Sequence, residues 1–222
     1  MYFCLPFDKI KSMETDIRYL LKFVSKDDYA QSIIEGKLYM RTANYYRTIF
    51  ESESKDPYEG SVSHKSMIFK GSNHYIFSTY QLTNKMINEN ATINIDLVKH
   101  FGCQEGFIVL LDFKKFSNLL KNSSNNSYEL IGFSITYCNN INMKMTKTML
   151  LGNHYESLAI KPTKFKDENE YRFVSGNASD DDTIPYILDM GFSLKNCSKV
   201  FSVRELFKNK NSISMKELLL AI

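Results

Sequence analysis

The chain has no tryptophan among its 222 residues, so its aromatic content of 14% rests on 16 phenylalanines and 14 tyrosines. No apolar run approaches the length of a membrane span, and the opening MYFCLPFDKIK lacks both a basic n-region and an uninterrupted apolar stretch of signal-peptide length. The expected setting is therefore the cytoplasm, with no membrane partner. Cys4, Cys103, Cys138 and Cys197 stand far apart with no C-x-x-C, which argues against a compact zinc site and for free thiols. His64, His74, His100 and His154 form no H-x-x-x-H or similar ligand spacing, so no metal is expected. The absence of G-x-S-x-G, Walker and G-x-G-x-x-G patterns counts against standard hydrolase, P-loop and dinucleotide-fingerprint readings. Charge of one sign is scarce too. Lys and Arg total 28 against 25 Asp and Glu, and the net +3 attracts nucleic acid weakly unless the positive groups cluster on one face. The short KNKN after Phe207, with Lys144 and Lys147, reads as solvated surface.

At 43% hydrophobic content, 222 residues can bury a substantial core, and residues 1–222 read as a single domain. Planar side chains pack well on pleated, half-buried surfaces, so the aromatic content favours an α+β fold over a helical bundle. Tyr19 to Val24 reads as a buried strand. Ser25 with Asp28 has capping-box spacing for a helix ended by Gly36, and Leu38 to Thr42 (LYMRT) is a strand whose Thr42 caps a short helix carrying Tyr45 and Tyr46. After the DPYEG turn at 56–60, residues 61–70 alternate weakly, and GSN at 71–73 suggests a hairpin into Ile76 to Tyr80 (IFSTY). Asn94 to His100 reads as a helix closed by Gly102, and Gly106 to Leu111 (GFIVLL) as the central strand. Phe113, Phe116, Leu119 and Leu120 have helical spacing, and KNSSNNS at 121–127 is a loop before the alternating run YELIGFSITYC. Met143 to Leu151 is ambiguous. Ser157 to Lys161 and Glu170 to Val174 read as adjoining strands, NASDDD at 177–182 as a turn, and Pro185 as the start of an extended segment. Ser214 with Glu217 repeats the capping-box spacing ahead of LLLAI, a short apolar helix expected to dock on the body or on a second copy of the chain.

One stretch carries chemistry. In Phe165 to Val174 (FKDENEYRFV), a charged turn delivers Glu168 and Glu170 to the start of an apolar strand. Glu-x-Glu also occurs at Glu51 and Glu53, inside the polar ESESKD, where a solvated loop is the better reading. Lys164 and Lys166 flank the later pair and allow it, too, to be read as surface. Strand alternation places Arg172 on the face of Glu170, so a structural ion pair competes with catalysis for that carboxylate.

Arginine at Arg41, Ser78 with Thr79, and then Glu168-x-Glu170 occur in an order that resembles the R-S-E class of ADP-ribosyltransferases. LYMRT, DPYEG and ENEYRF are also similar to a layout found in a family of bacterial defence-island and mobile-element proteins, and the resemblance spans most of residues 18 to 205. It implies a split, largely antiparallel mixed sheet with short peripheral helices, and NAD as substrate. Arg41 would then hold the pyrophosphate, which a guanidinium fork matches well. Ser78 and Thr79 would support the nicotinamide ribose and brace Glu170. Glu170 would steady the cation-like sugar and bond a ribose hydroxyl, and Glu168 would orient or deprotonate the acceptor. The third position of the usual S-T-S strand is Tyr80, whose ring could instead stack on nicotinamide. Tyr45 lies just beyond the arginine, and His74, four residues before Ser78, shares its strand face.

The expected function is an ADP-ribosyltransferase-like toxin or phage-defence effector that modifies a macromolecule, protein or nucleic acid, or cleaves NAD. An antitoxin or a phage-derived trigger is the expected partner, with self-association through the C-terminal helix. Two rivals stand beside it. One is a nucleic-acid-cleaving or nucleic-acid-binding effector, which needs a basic, aromatic cleft. The other is a non-enzymatic sensor or inhibitor on the same fold, which the Tyr80 departure permits.

Overall fold

The computed structural model describes residues 16–48, 61–64, 67–70, 74–122, 130–138, 156–177 and 185–221. Along the chain the strands are β1 (Ile17–Val24), β2 (Lys37–Thr42), β3 (Ser61–His64), β4 (Met67–Lys70), β5 (His74–Thr83), β6 (Thr92–Asn94) and β7 (Phe107–Asp112). They continue as β8 (Leu130–Ser134), β9 (Thr136–Cys138), β10 (Ile160–Pro162), β11 (Glu170–Asn177), β12 (Tyr186–Asp189), β13 (Ser198–Ser202) and β14 (Ser212–Ser214). Every helix among the described residues is short; the longest is Phe113–Asn122. The molecule is thus α+β with a mainly antiparallel open sheet, as the composition suggests. No helix among the described residues is long and apolar enough to cross a membrane.

Contacts divide the chain into two compact units, one built on Met40–Ser78 and Tyr128–Tyr186, the other on Asp16–Tyr39, Thr79–Ser127 and Ile187–Ile222. In the second unit β7 is flanked by antiparallel β1 and β13, with β5 on the far side of β1. The register sets Leu21 opposite both Tyr80 and Leu110, and Ile108 opposite both Phe23 and Phe201. Directly opposed residues share a face, so these side chains form one apolar surface. Ile93, Val98, Ile213, Met215 and Leu218 close over it, each removed from water. Burying one such side chain is worth roughly 1.5–3 kcal/mol. GFIVLL, expected as the central strand, is paired on both edges but stands second from the end of the sheet, beside β13.

In the first unit β2 pairs with the start of β5, setting Arg41 opposite Ile76 and Thr42 opposite Tyr75. β11 pairs with β5 and, antiparallel, with β8. Ile76, Phe133, Ile135, Leu158 and Val174, with Ala43 from the helix Ala43–Thr48, form its apolar core. On the opposite face of β11, the rings of Tyr171 and Phe173 lie 5.0 Å apart, and Phe77 packs against Phe173. Gly132, opposite Phe173, makes room for them: a Cβ there would stand 2.6 Å from the Tyr171 hydroxyl.

Several expectations change in detail. The helix Asp27–Ile34 takes Lys26 rather than Ser25 as its N-cap, without a side-chain cap bond. Gly36 does end it, at φ +87°, where a Cβ would also collide with the Phe192 carbonyl oxygen. The expected hairpin from residues 61–70 into β5 is instead a hairpin inside that run, β3 with β4, because β5 already pairs with β1, β2 and β11. YELIGFSITYC breaks at Ile135 into two strands, whose break is held by Ile135 N–H donating to the Glu170 carbonyl. Ser157 to Lys161 is mostly a 3-10 turn, Glu156–Ala159, and β10 pairs in parallel with β9 rather than with β11. The DPYEG and GSN turns, Glu51 and Glu53, most of KNSSNNS, Met143 to Leu151 and NASDDD beyond Asn177 lie outside the described residues.

The C-terminal helix Met215–Leu220 has the capping box its sequence suggests. Ser214 Oγ accepts from Glu217 N–H at 3.2 Å, and the Glu217 carboxylate accepts from Ser214 N–H at 2.8 Å. Its Met215 and Leu218 enter the second unit's core, whereas Leu220 stays exposed. The hydrogen bond from Lys210, with those from Ser214, lowers the Glu217 carboxyl from 4.5 to about 2. A carboxyl held below its unfolded value contributes stability above that value and loses it as the pH falls. The helix should therefore loosen as pH drops from 4.5 through about 2. Amide exchange of 215–220 in wild type should show that window, and Glu217→Gln should abolish it.

Candidate functional site

The Glu168–Asn169–Glu170 turn sits where a 3-10 turn, Thr163–Glu168, passes into β11. Asn169 adopts φ +38°, ψ +52°, the left-handed region that asparagine tolerates better than most residues. This bend turns both carboxylates toward one cation. Lys161 Nζ lies 2.7 Å from Glu168 Oε2 and 2.9 Å from Glu170 Oε2. From the other side Arg172 donates through Nε to Glu170 Oε1 at 2.8 Å and through Nη2 to Oε2 at 3.0 Å. Its Nη1 donates to the Leu158 carbonyl at 2.7 Å. All four charged residues are buried, Arg172 at 1% exposure. The surface-pair reading with Lys164 and Lys166 as neighbours is therefore wrong, and the cation responsible is Lys161.

Local geometry explains the convergence. Parallel pairing of β9 with β10 sets Tyr137 opposite Lys161. The Tyr137 hydroxyl accepts from Glu170 N–H at 2.8 Å, anchoring the first residue of β11. Burial raises the Tyr137 phenol well above its ordinary range, so it stays protonated at neutral pH. For Glu170, burial opposes ionisation, yet Arg172, Lys161 and hydrogen bonds from Arg172 and Ser78 outweigh it and hold the carboxyl well below the usual carboxylate range. Glu170 is consequently a fixed anion, suited to steadying positive charge and a poor acceptor of protons.

The first unit also brings Ser78 and Arg41 to this face. Ser78 donates a side-chain hydrogen bond to Glu170. Arg41, opposite Ile76, falls on the face of β5 that carries His74, Ile76 and Ser78. Its guanidinium lies 4.3 Å from the Tyr45 ring centroid, and Thr42 Oγ1 accepts from Tyr45 N–H at 3.1 Å, capping the helix that presents the ring. His74 is buried with Nδ1 hydrogen-bonded to the Gly176 carbonyl; a carbonyl only accepts, so Nδ1 carries the proton. Thr79 and Tyr80 belong to the other unit, where Tyr80 packs edge-on against Phe23 at 6.3 Å.

Sequence reasoning reaches Glu168, Glu170, Arg172 and Ser78 but misses Lys161 and Tyr137. A signal existed for the lysine. Two glutamates and one arginine at the mouth of an apolar strand leave a negative charge uncompensated, and Lys161 stands in the apolar run SLAIK. Among the described residues, no group of three or more His, Cys, Asp or Glu stands close enough to hold a metal ion. No protein-family model, curated protein or solved structure matches the chain.

Removing one member of a buried ion pair strands its partner, at a cost of roughly 3–5 kcal/mol, whereas removing both in favour of apolar side chains is often close to neutral. Glu170→Gln or Arg172→Leu should each lower stability by about that amount in urea unfolding, and Glu170→Met with Arg172→Leu should lose much less than their sum. At the turn, Asn169→Gly should be tolerated, whereas Asn169→Val should cost about 1–2 kcal/mol through the left-handed backbone alone.

Proposed function

We propose that this chain is an ADP-ribosyltransferase-like effector that takes NAD against the first unit and transfers its ADP-ribose to a macromolecule, or cleaves it, in a toxin or phage-defence setting. What supports this reading is the hydrogen bond from Ser78 to Glu170 on a strand face to which Arg41 also belongs. An arginine, a serine and a glutamate distant in sequence thus fall on one sheet face of one unit. Arg41, beside the Tyr45 ring, would supply the pyrophosphate fork. Glu170 would act as a preorganised anion against the ribosyl cation, an electrostatic role that its firm ionisation fits. Glu168, two positions earlier, would face the acceptor.

A second reading has its own observation. Arg172 and Lys161 already neutralise the Glu170 carboxylate. A site so compensated suits a sensor that binds NAD or a partner without turning it over.

Nicotinamide release from NAD by the pure protein, with protein, RNA and DNA acceptors offered in turn, separates the two. The transferase reading expects release that Glu170→Gln abolishes. Arg41→Ala should weaken NAD binding roughly ten- to hundredfold, the worth of a hydrogen bond to a charged group. Saturable NAD binding with no release from any mixture would favour the sensor. Neither binding nor release would end both. Because Glu170→Gln also disturbs a buried ion pair, its folded fraction must be checked by circular dichroism, and Arg41→Ala, at a half-buried position, serves as the cleaner variant.

A further inference from the structure

We infer that Lys161 is the positioning residue of the Glu168–Glu170 pair: one shared ammonium holds the two carboxylates side by side and keeps both charged in the interior. The two acidic and two basic side chains of the cluster sum to zero, and all are buried. Arg172 reaches Glu170 with two nitrogens, and Lys161 is paired with Glu168. Lys161 Nζ lies within 3 Å of a carboxylate oxygen from each glutamate. The Tyr137 phenol from β9, the Ser78 hydroxyl from β5 and the Phe165 ring, 5.3 Å from Lys161 Nζ, also face the cluster and bring no positive charge, while Arg41 lies on the same strand face as Ser78. Without the ammonium, two carboxylates would share a dry site with one guanidinium, and such a pair relieves itself by taking up a proton.

Lys161 therefore sets the charge state of the turn. For NAD chemistry the inference deepens the reading given above and rests on it: Lys161 would keep the acceptor-side Glu168 apart from the sugar-side Glu170 while both remain anionic. The charge-setting role itself does not need that reading.

Proton counting tests it. In Lys161→Met the cluster should bind roughly one proton more per chain than wild type near neutral pH. A proton held more tightly in the folded than in the unfolded state makes stability rise as pH falls, so the variant should gain on wild type between about pH 8 and about pH 5. Carboxyl resonances of glutamate-labelled protein should report the same uptake. Lys161→Met with Glu168→Gln restores a neutral cluster and should recover the wild-type pH dependence, which keeps the inference testable if the single variant does not fold. A single variant that titrates like wild type, or a double variant no better folded than the single, would overturn it. If wild type releases nicotinamide, Lys161→Met should move the acid limb of its pH–rate profile upward while Arg41→Ala leaves that limb in place. If wild type releases none, the NAD reading falls, and the proton count still decides the role of Lys161.

Discussion

The two-sided grip on the Glu170 carboxylate, by the Arg172 fork and the Lys161 ammonium, is the constraint around which the first unit is arranged. Burying ions costs several kcal/mol each unless excellent geometry and further hydrogen bonds compensate. Here the compensation comes from five places: β11 itself, the β10 lysine, the β5 serine, the β9 tyrosine and the Leu158 carbonyl. A one-residue slip of β11 would carry Glu170 and Arg172 to the opposite face, against the Phe77 ring of β5, and bring Tyr171 and Phe173 out of their apolar contacts. The cluster thereby penalises misregister heavily, whatever its net contribution to stability.

Chemically the same grip separates two roles that a glutamate can play. A carboxyl held far below its ordinary range cannot collect protons at neutral pH, but it presents a charge whose place is already set. The anion is also locally balanced, so its field is short-ranged, and only a group brought into contact would benefit. The transferase and sensor readings diverge on that point, since turnover requires a substrate able to compete with Lys161 or Arg172 for carboxylate oxygens.

Much of this was legible from residue patterns. The apolar GFIVLL strand, the Thr42 helix cap and the Ser214 capping box all follow from local rules, and each forms. Arg172 beside Glu170 followed from strand alternation alone. What could not be read was non-local. Lys161 joins the cluster because β10 pairs in parallel with β9, a strand 24 residues back by the Tyr137–Lys161 register, and no short-range pattern announces such a pairing. Tyr137 lies 33 residues from the amide it receives. The 3-10 turn at Glu156–Ala159 also defeated an apolar pattern that suits a strand equally well. Tyr80, read beside Ser78 as a ring for a ligand, packs in a different core because β5 contributes its two halves to different units.

The left-handed backbone at Asn169 narrows the mutational routes open to this turn. Glycine, asparagine and aspartate occupy that conformation readily, while β-branched residues do not. Aspartate, however, would set a third acid between two glutamates that already share one lysine. The viable substitutions thus reduce almost to one small residue, and drift here is confined by the backbone before any demand of chemistry is imposed.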